Sequence, residues 1–172
     1  MEERLKKIRL LLLDVDGVLT DGRIIINDRG EETKAFHVRD GHGMKLLQRA
    51  GVQIGIITGR SSRVVAHRMR ELGVDLVVQG SKDKRVPYQQ MLEQTGLEDH
   101  EIAYVGDDLV DLPLLRRVGF AATVADGCDD LKEHVHYVTR RPGGMGAVRE
   151  ICEMILKARG AWEQVTLRYW QD

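Results

Sequence analysis

Residues Ile8 to Leu13 form an apolar run broken only by Arg9, and the run ends directly in Asp14-Val15-Asp16-Gly17. Such a run, with no apolar/polar alternation, reads as a strand buried on both faces. A strand of that kind needs helices on either side of its sheet, which commits the chain to a layered α/β architecture. It also delivers two carboxylates to the sheet edge. Clustered carboxylates repel one another and require a counter-charge, for which a divalent cation bound through hard oxygen ligands is the usual solution. One carboxylate of such a pair can attack phosphorus while its neighbour two residues on handles protons.

The same arrangement recurs downstream. Ile54 to Ile57 runs into Thr58-Gly59-Arg60, Leu76 to Val78 leads to Gln79-Gly80-Ser81-Lys82-Asp83-Lys84, and Ile102 to Val105 runs into Gly106-Asp107-Asp108-Leu109-Val110-Asp111. Between these runs the pattern predicts helices at 40–50, 61–72, 83–95, 110–118, 129–134 and 146–158. Asp40, Ser61 or Ser62, and Asp111 are candidate caps, with Pro113 in the first turn of the fourth helix. Gly51, Gly73, Gly96 and Gly119 fall where helices should stop. Strict strand and helix alternation predicts a doubly wound, Rossmann-like parallel sheet with helices on both faces. In such a sheet the strand C-termini share one edge, where ligands bind, so the four polar clusters are expected to converge on one crevice. Taken alone, Asp107, Asp108 and Asp111 could also be an ordinary acidic surface loop.

One segment breaks the rhythm. Ile24 to Ile26 is β-branched, Asn27 to Gly30 is turn chemistry, and Thr33 to Val38 can form a second strand, which predicts a β-hairpin over about 22–38. The interval is too short for a separate domain, so residues 1–172 are expected to form one domain with no cap over its crevice. An open crevice and an exposed apolar hairpin both invite a neighbouring subunit. The tail, about 159–172, concentrates Trp162, Tyr169 and Trp170, to pack on the parent domain or on a neighbour.

Composition excludes other classes. The formal net charge is −1, so no nucleic-acid footprint is expected. No apolar run approaches the ~18 residues of a membrane span, and no signal segment is expected at the start of the chain. Cys128 and Cys152 are far apart and fit neither a disulfide framework nor a zinc site, which points to reduced thiols and a cytoplasmic location. The six histidines show no metal-binding spacing.

The ordered set Asp-x-Asp, Thr, Lys and Gly-Asp-Asp-x-x-Asp resembles the haloacid dehalogenase-like phosphatases. The resemblance implies Asp14 as nucleophile and Asp16 as acid/base. It implies Mg²⁺ held by Asp14, Asp107 and the backbone carbonyl of Asp16, with Asp111 behind them. Thr58, Gly59 and Lys84 would bind the phosphoryl group. Lys84 matches the Gly-x-x-Asp-Lys pattern better than its competitor Lys82. Asp14 to Gly22, His37 to Gly41, Ile57 to Arg60, Gly106 to Asp111 and Gly143 to Glu150 resemble the capless branch that acts on phosphorylated 2-keto sugar acids. That implies an octulosonate 8-phosphate as substrate, on the route to lipopolysaccharide, with a nonulosonate or neuraminate 9-phosphate as the alternative. It further implies a sugar-acid pocket formed by Asp16, His37, Val38, Arg39, Asp40, Gly41, Lys45, Arg60, Arg68 and Lys84. A homotetramer is implied, its hairpins joined, and with it Gly143–Gly146 of one chain is expected near Asp14 of the next. Met145 stands where relatives often carry a basic residue.

Other classes fit less well. An open site admits water, against a phosphotransferase. A receiver domain would carry adjacent acids first and a lone acceptor Asp before its Thr and Lys, an order this chain reverses. A non-catalytic assembly module would not be expected to keep all four motifs.

Overall fold

The computed structural model describes residues 1–171. Helix α1 (Glu2–Lys6) leads into strand β1 (Leu10–Leu13), followed by a hairpin of β2 (Ile25–Ile26) and β3 (Glu32–Thr33). Then come α2 (Val38–Arg49), β4 (Gln53–Ile57), α3 (Arg63–Leu72), β5 (Leu76–Val78), α4 (Arg85–Thr95) and β6 (Ile102–Gly106). The chain continues through α5 (Leu112–Leu115), β7 (Phe120–Thr123), β8 (Tyr137–Val138), α6 (Ala147–Ala158) and α7 (Trp162–Thr166). The main sheet is parallel throughout, in the order β5-β4-β1-β6-β7-β8. Leu13 lies in register with Ile56 on one side and Val105 on the other. Because the order reverses across β1, the crevice at its C-terminal end is the topological switch point.

The unbroken apolar character of β1 has a direct explanation. Leu11 and Leu13 point into a core shared with Leu5, Met44, Leu47, Val65, Ile151 and Ile155, while Leu10 and Leu12 point into a second core with Tyr88, Met91, Leu114 and Leu115. Both faces of the strand are therefore dry. Glycines close α3 and α4 at Gly73 and Gly96 in left-handed conformation, as the spacing predicts.

Several local expectations are corrected. Helix α2 begins at Val38 and is capped by His37, whose Nδ1 accepts from the Arg39 N–H at 3.2 Å. Asp40 is not that cap. It is buried in the first turn, and its carboxylate reaches across to accept from Gly146 N–H (3.2 Å) and Arg149 N–H (2.7 Å), so it caps α6 instead. Ser62 occupies the cap position of α3 but makes no side-chain cap; its own N–H donates to Gln79 Oε1 at 2.8 Å. The helix expected at 110–118 shrinks to a 3-10 turn (Leu109–Asp111) and α5, capped by Asp108, because Asp111 is drawn inward. Residues 129–134 form a 3-10 helix. The second hairpin strand spans only Glu32–Thr33 rather than reaching Val38.

The Gly143–Gly146 loop packs on its own chain. The Gly144 N–H donates to the Val18 carbonyl at 2.9 Å and the Gly143 N–H to Asp126 Oδ1 at 2.8 Å. A Cβ at Gly143 would lie 1.7 Å from the Gly17 carbonyl oxygen, so only glycine permits this approach. The tail folds back as well. Trp162 packs on the core, and the Tyr169 hydroxyl accepts from Arg49 at 2.7 Å and lies 3.0 Å from His42 Nε2. Among the described residues no helix is long and apolar enough to cross a membrane.

Candidate active site

The C-terminal ends of β1, β4 and β6, with the loop after β5, surround a cavity of about 350 Å³ lined by Asp14, Asp16, Thr58, Gly59, Arg60, Ser81, Lys82, Lys84, Asp107, Asp108 and Val110. Each group arrives because an apolar strand ends there. β1 ends at Leu13 and places Asp14 in the mouth, its Oδ1 accepting from the Val15 N–H at 2.6 Å. Gly17 turns the chain away at φ 92°, and a Cβ there would fall 2.0 Å from Asp107 Oδ2. The turn thus lets the β6 carboxylate come up against the β1 loop.

Lys84, not Lys82, reaches the centre. Its Nζ sits 2.7 Å from Asp14 Oδ2, 2.5 Å from Asp111 Oδ1 and 3.1 Å from the Tyr104 hydroxyl. Lys84 is 3% exposed and Asp111 fully buried. Burial alone would lower the Lys84 pKa, but the carboxylates of Asp111 and Asp14 outweigh it and hold the ammonium above its ordinary range. Asp111 is saturated: Oδ1 takes Lys84 and the Tyr104 hydroxyl, and Oδ2 takes the N–H groups of Asp107 (2.9 Å) and Asp108 (3.2 Å). It is therefore a strut behind the site rather than a free ligand. Burial keeps the Tyr104 phenol protonated, assisted by the nearby Asp111 and Asp14 charges.

The remaining charge calls for a cation. A carboxylate oxygen of each of Asp14, Asp107 and Asp111 lies within 4.8 Å of the others, and among the described residues Lys84 is the one cation bonded among them. Burial, opposed by Lys84 and assisted by the Asp111 charge, pushes Asp14 up to about 6. Burial, with Asp111 and Asp14 adding to it, pushes Asp107 up to about 7. Asp107 Oδ1 is buried with no hydrogen-bond partner. An orphaned carboxylate oxygen facing a second carboxylate, both hard donors, suits a divalent cation such as Mg²⁺.

Asp16 stands apart from this cluster. Its carboxylate pairs with Lys34, and its Oδ2 lies 3.7 Å from Arg60 Nε. Arg60 also donates to Glu32 Oε1 at 2.9 Å. Lys34, Glu32 and Tyr104 join the site without having been expected there. Alternation in 31–36 carried a signal for the first two, since Glu32, Lys34 and Phe36 turn inward while Glu31, Thr33 and Ala35 are exposed. For Tyr104 the signal was a phenol inside an otherwise apolar strand, which needs a polar partner when buried.

The other expected pocket residues lie elsewhere in the chain. His37, Val38, Arg39, Asp40, Gly41, Lys45 and Arg68 do not line the crevice. They gather on α2 and α3: a Cβ at Gly41 would meet Arg68 Nη2 at 2.5 Å, and Arg68 pairs with Glu71 at 3.2 Å. Arg39 lines a separate cavity of about 700 Å³ with His42, Arg140, Arg141 and Arg149. Asp40 is occupied as the cap of α6.

Known proteins match this chain in sequence and fold. The family model for haloacid dehalogenase-like hydrolases matches residues 39–119. The 3-deoxy-D-manno-octulosonate 8-phosphate phosphatase KdsC of Yersinia pestis is 44% identical over 164 residues, covering 95% of this chain and 88% of that protein. A probable YrbI family phosphatase from Pseudomonas syringae superposes with a TM-score of 0.98 at 43% identity, covering 99% of this chain and 97% of that one. The 3-deoxy-D-manno-octulosonate 8-phosphate phosphatase of Moraxella catarrhalis, whose structure holds a magnesium ion, a phosphate ion and KDO, has a TM-score of 0.95 at 43% identity, with 99% and 97% covered.

Proposed function

The chain belongs to the haloacid dehalogenase-like hydrolases, and we propose that it is a Mg²⁺-dependent phosphatase that hydrolyses 3-deoxy-D-manno-octulosonate 8-phosphate to the free sugar acid and phosphate, a step toward lipopolysaccharide. The observation that carries this reading is the buried Lys84 bonded to Asp14 beside the orphaned Asp107 carboxylate, in a fold whose relatives act on that substrate. The chain is read as one capless catalytic domain. Its cysteines are free thiols, which supports a cytoplasmic location.

In the proposed reaction an Asp14 carboxylate oxygen attacks phosphorus in line with the ester oxygen. The P–O bond to the sugar breaks, and Asp16 gives its proton to the departing alkoxide. The aspartyl-phosphate on Asp14 is then hydrolysed by a water whose proton Asp16 takes, releasing phosphate and restoring both carboxyls. Lys84, the Thr58 hydroxyl and the Gly59 N–H stabilise the phosphoryl oxygens. Asp14, Asp107 and the Asp16 backbone carbonyl would hold Mg²⁺, which when bound supplies positive charge against those oxygens.

Arg60, half-exposed at the mouth, is the cation for the sugar-acid carboxylate. The basic residues on α2 and α3, which do not line their own crevice, would complete the crevice of a neighbour in a homotetramer joined through the hairpins. The exposed Ile24, Ile25 and Ile26 support that assembly. Steady-state rates on sugar phosphates of six to nine carbons, with and without Mg²⁺, test the reading. It requires Mg²⁺ dependence and the highest kcat/KM on the octulosonate phosphate; a preference for a neutral sugar phosphate or for a nonulosonate would overturn the substrate.

A further inference from the structure

We propose that Lys34, carried by the hairpin, is the positioning residue for the acid/base Asp16, as Lys84 is for the nucleophile. The proposal rests on the role given to Asp16 above. Lysine is almost never buried unless paired, and a Lys stem loses much rotamer freedom when fixed. Yet the Lys34 side chain is 1% exposed, in a hairpin whose first-strand residues Ile24 to Ile26 are about half exposed. Its ammonium pairs with the Asp16 carboxylate and lies 3.3 Å from Glu32 Oε1. Glu32 in turn holds Arg60, whose Nε faces the other Asp16 oxygen. The Asp16 carboxylate is thus bracketed by a buried cation and a half-exposed one, with Glu32 tying the two together.

This arrangement separates two jobs that the Asp-x-Asp motif alone cannot. The side chains of Asp14 and Asp16 leave the same strand end two residues apart, and both are within reach of a cation. Lys84 and Asp107 engage Asp14, while Lys34 draws the Asp16 carboxylate away from that cluster toward the hairpin. An acid must stand over the leaving oxygen rather than among the metal ligands. When Arg60 turns to a substrate carboxylate, Lys34 remains as the fixed partner. The effect is geometric, since a misplacement of about 1 Å in a reacting group can cost about a hundredfold in rate.

Leaving groups provide the test. In single-turnover phosphorylation, Lys34→Met should slow the octulosonate phosphate by about 10- to 100-fold, while p-nitrophenyl phosphate, whose leaving group needs no proton, should stay within about threefold. Lys34→Arg should recover part of the loss. In an Asp16→Asn background Lys34→Met should add nothing further. Equal losses on both substrates, or losses that add to Asp16→Asn, would overturn the proposal. Glu32→Gln, which loosens the same bracket from outside, should show the same selectivity in milder form, and it decides the matter if Lys34→Met does not fold. Asp16→Asn by itself tests the underlying role: if it is selective and neither hairpin variant is, only the positioning proposal falls.

Discussion

Lys84→Met offers a sharp test of how the site is held together. Lys84 is bonded to Asp14 at 2.7 Å and to Asp111 at 2.5 Å in a setting where all three are nearly or fully buried. Removing one partner of such a buried pair costs about 3–5 kcal/mol, mostly because a charge is left without compensation. For a chain of this size each kcal/mol corresponds to about 2–4 °C in Tm, so the metal-free variant should melt about 6–20 °C lower at pH 8. The deficit should shrink on acidification. The Asp14 carboxyl already titrates at about 6 in the fold against an ordinary 3.8, so its contribution to stability is present at low pH and lost as pH rises through 6. Without Lys84 that loss deepens above pH 6, whereas at pH 5 Asp14 is mostly neutral with or without the lysine. Adding Asp111→Asn should restore stability without restoring activity. The amide oxygen can still accept from the Asp107 and Asp108 N–H groups, and its NH₂ can donate to the Tyr104 hydroxyl in place of the missing ammonium. Thermal melts in chelator at pH 5 and pH 8, on the single and double variants, supply the comparison. An equal deficit at both pH values, or no rescue by Asp111→Asn, would refute the charge argument and make Lys84 a packing residue.

Mg²⁺ affinity should fall on acidification, because Asp14 and Asp107, raised to about 6 and about 7, must lose their protons to bind it. Calorimetry should show a drop of about tenfold per pH unit for each proton displaced below those values, and a pH-independent affinity would count against this ligand pair. Arg60→Ala should lower kcat/KM for the sugar-acid phosphate by about ten- to a hundredfold and barely affect a small phosphate ester lacking a carboxylate; parallel losses would assign Arg60 to Asp16 or the fold. Ile25→Asp places a charge on the hairpin and should break the assembly and the sugar-phosphatase activity together, as read by light scattering; a fully active wild-type monomer would end the assembly proposal.

The parts of this molecule legible in the sequence are those governed by local pattern. Apolar runs that stop in polar clusters identified β1, β4, β5 and β6, and because parallel strands share an edge, they also predicted that Asp14, Thr58, Lys84 and Asp107 would meet. What escaped depends on contacts between distant segments. Asp40 looked like a cap for its own helix, but its carboxylate reaches a helix more than a hundred residues on. Asp111 looked like a cap too, yet its oxygens are taken by Lys84, Tyr104 and two backbone N–H groups. The Gly143–Gly146 loop was expected at a neighbour's site from its sequence, which carried no sign that within its own chain it covers Gly17 to Asp21, where the absence of a side chain at Gly143 makes room. Lys34 escaped because a lysine in an exposed hairpin reads as solvated until the strand alternation is followed inward to Asp16.

The central claim is a phosphoryl group carried on Asp14, and rapid acid quench followed by peptide mapping addresses it directly. Wild-type protein mixed with the octulosonate phosphate and Mg²⁺ should yield a peptide phosphorylated at Asp14 that appears and decays within one turnover. Asp14→Asn should yield no labelled peptide and less than about a tenth of wild-type kcat, a margin of only ~1.4 kcal/mol. Label on another residue, or steady turnover by Asp14→Asn above that tenth, would contradict the account.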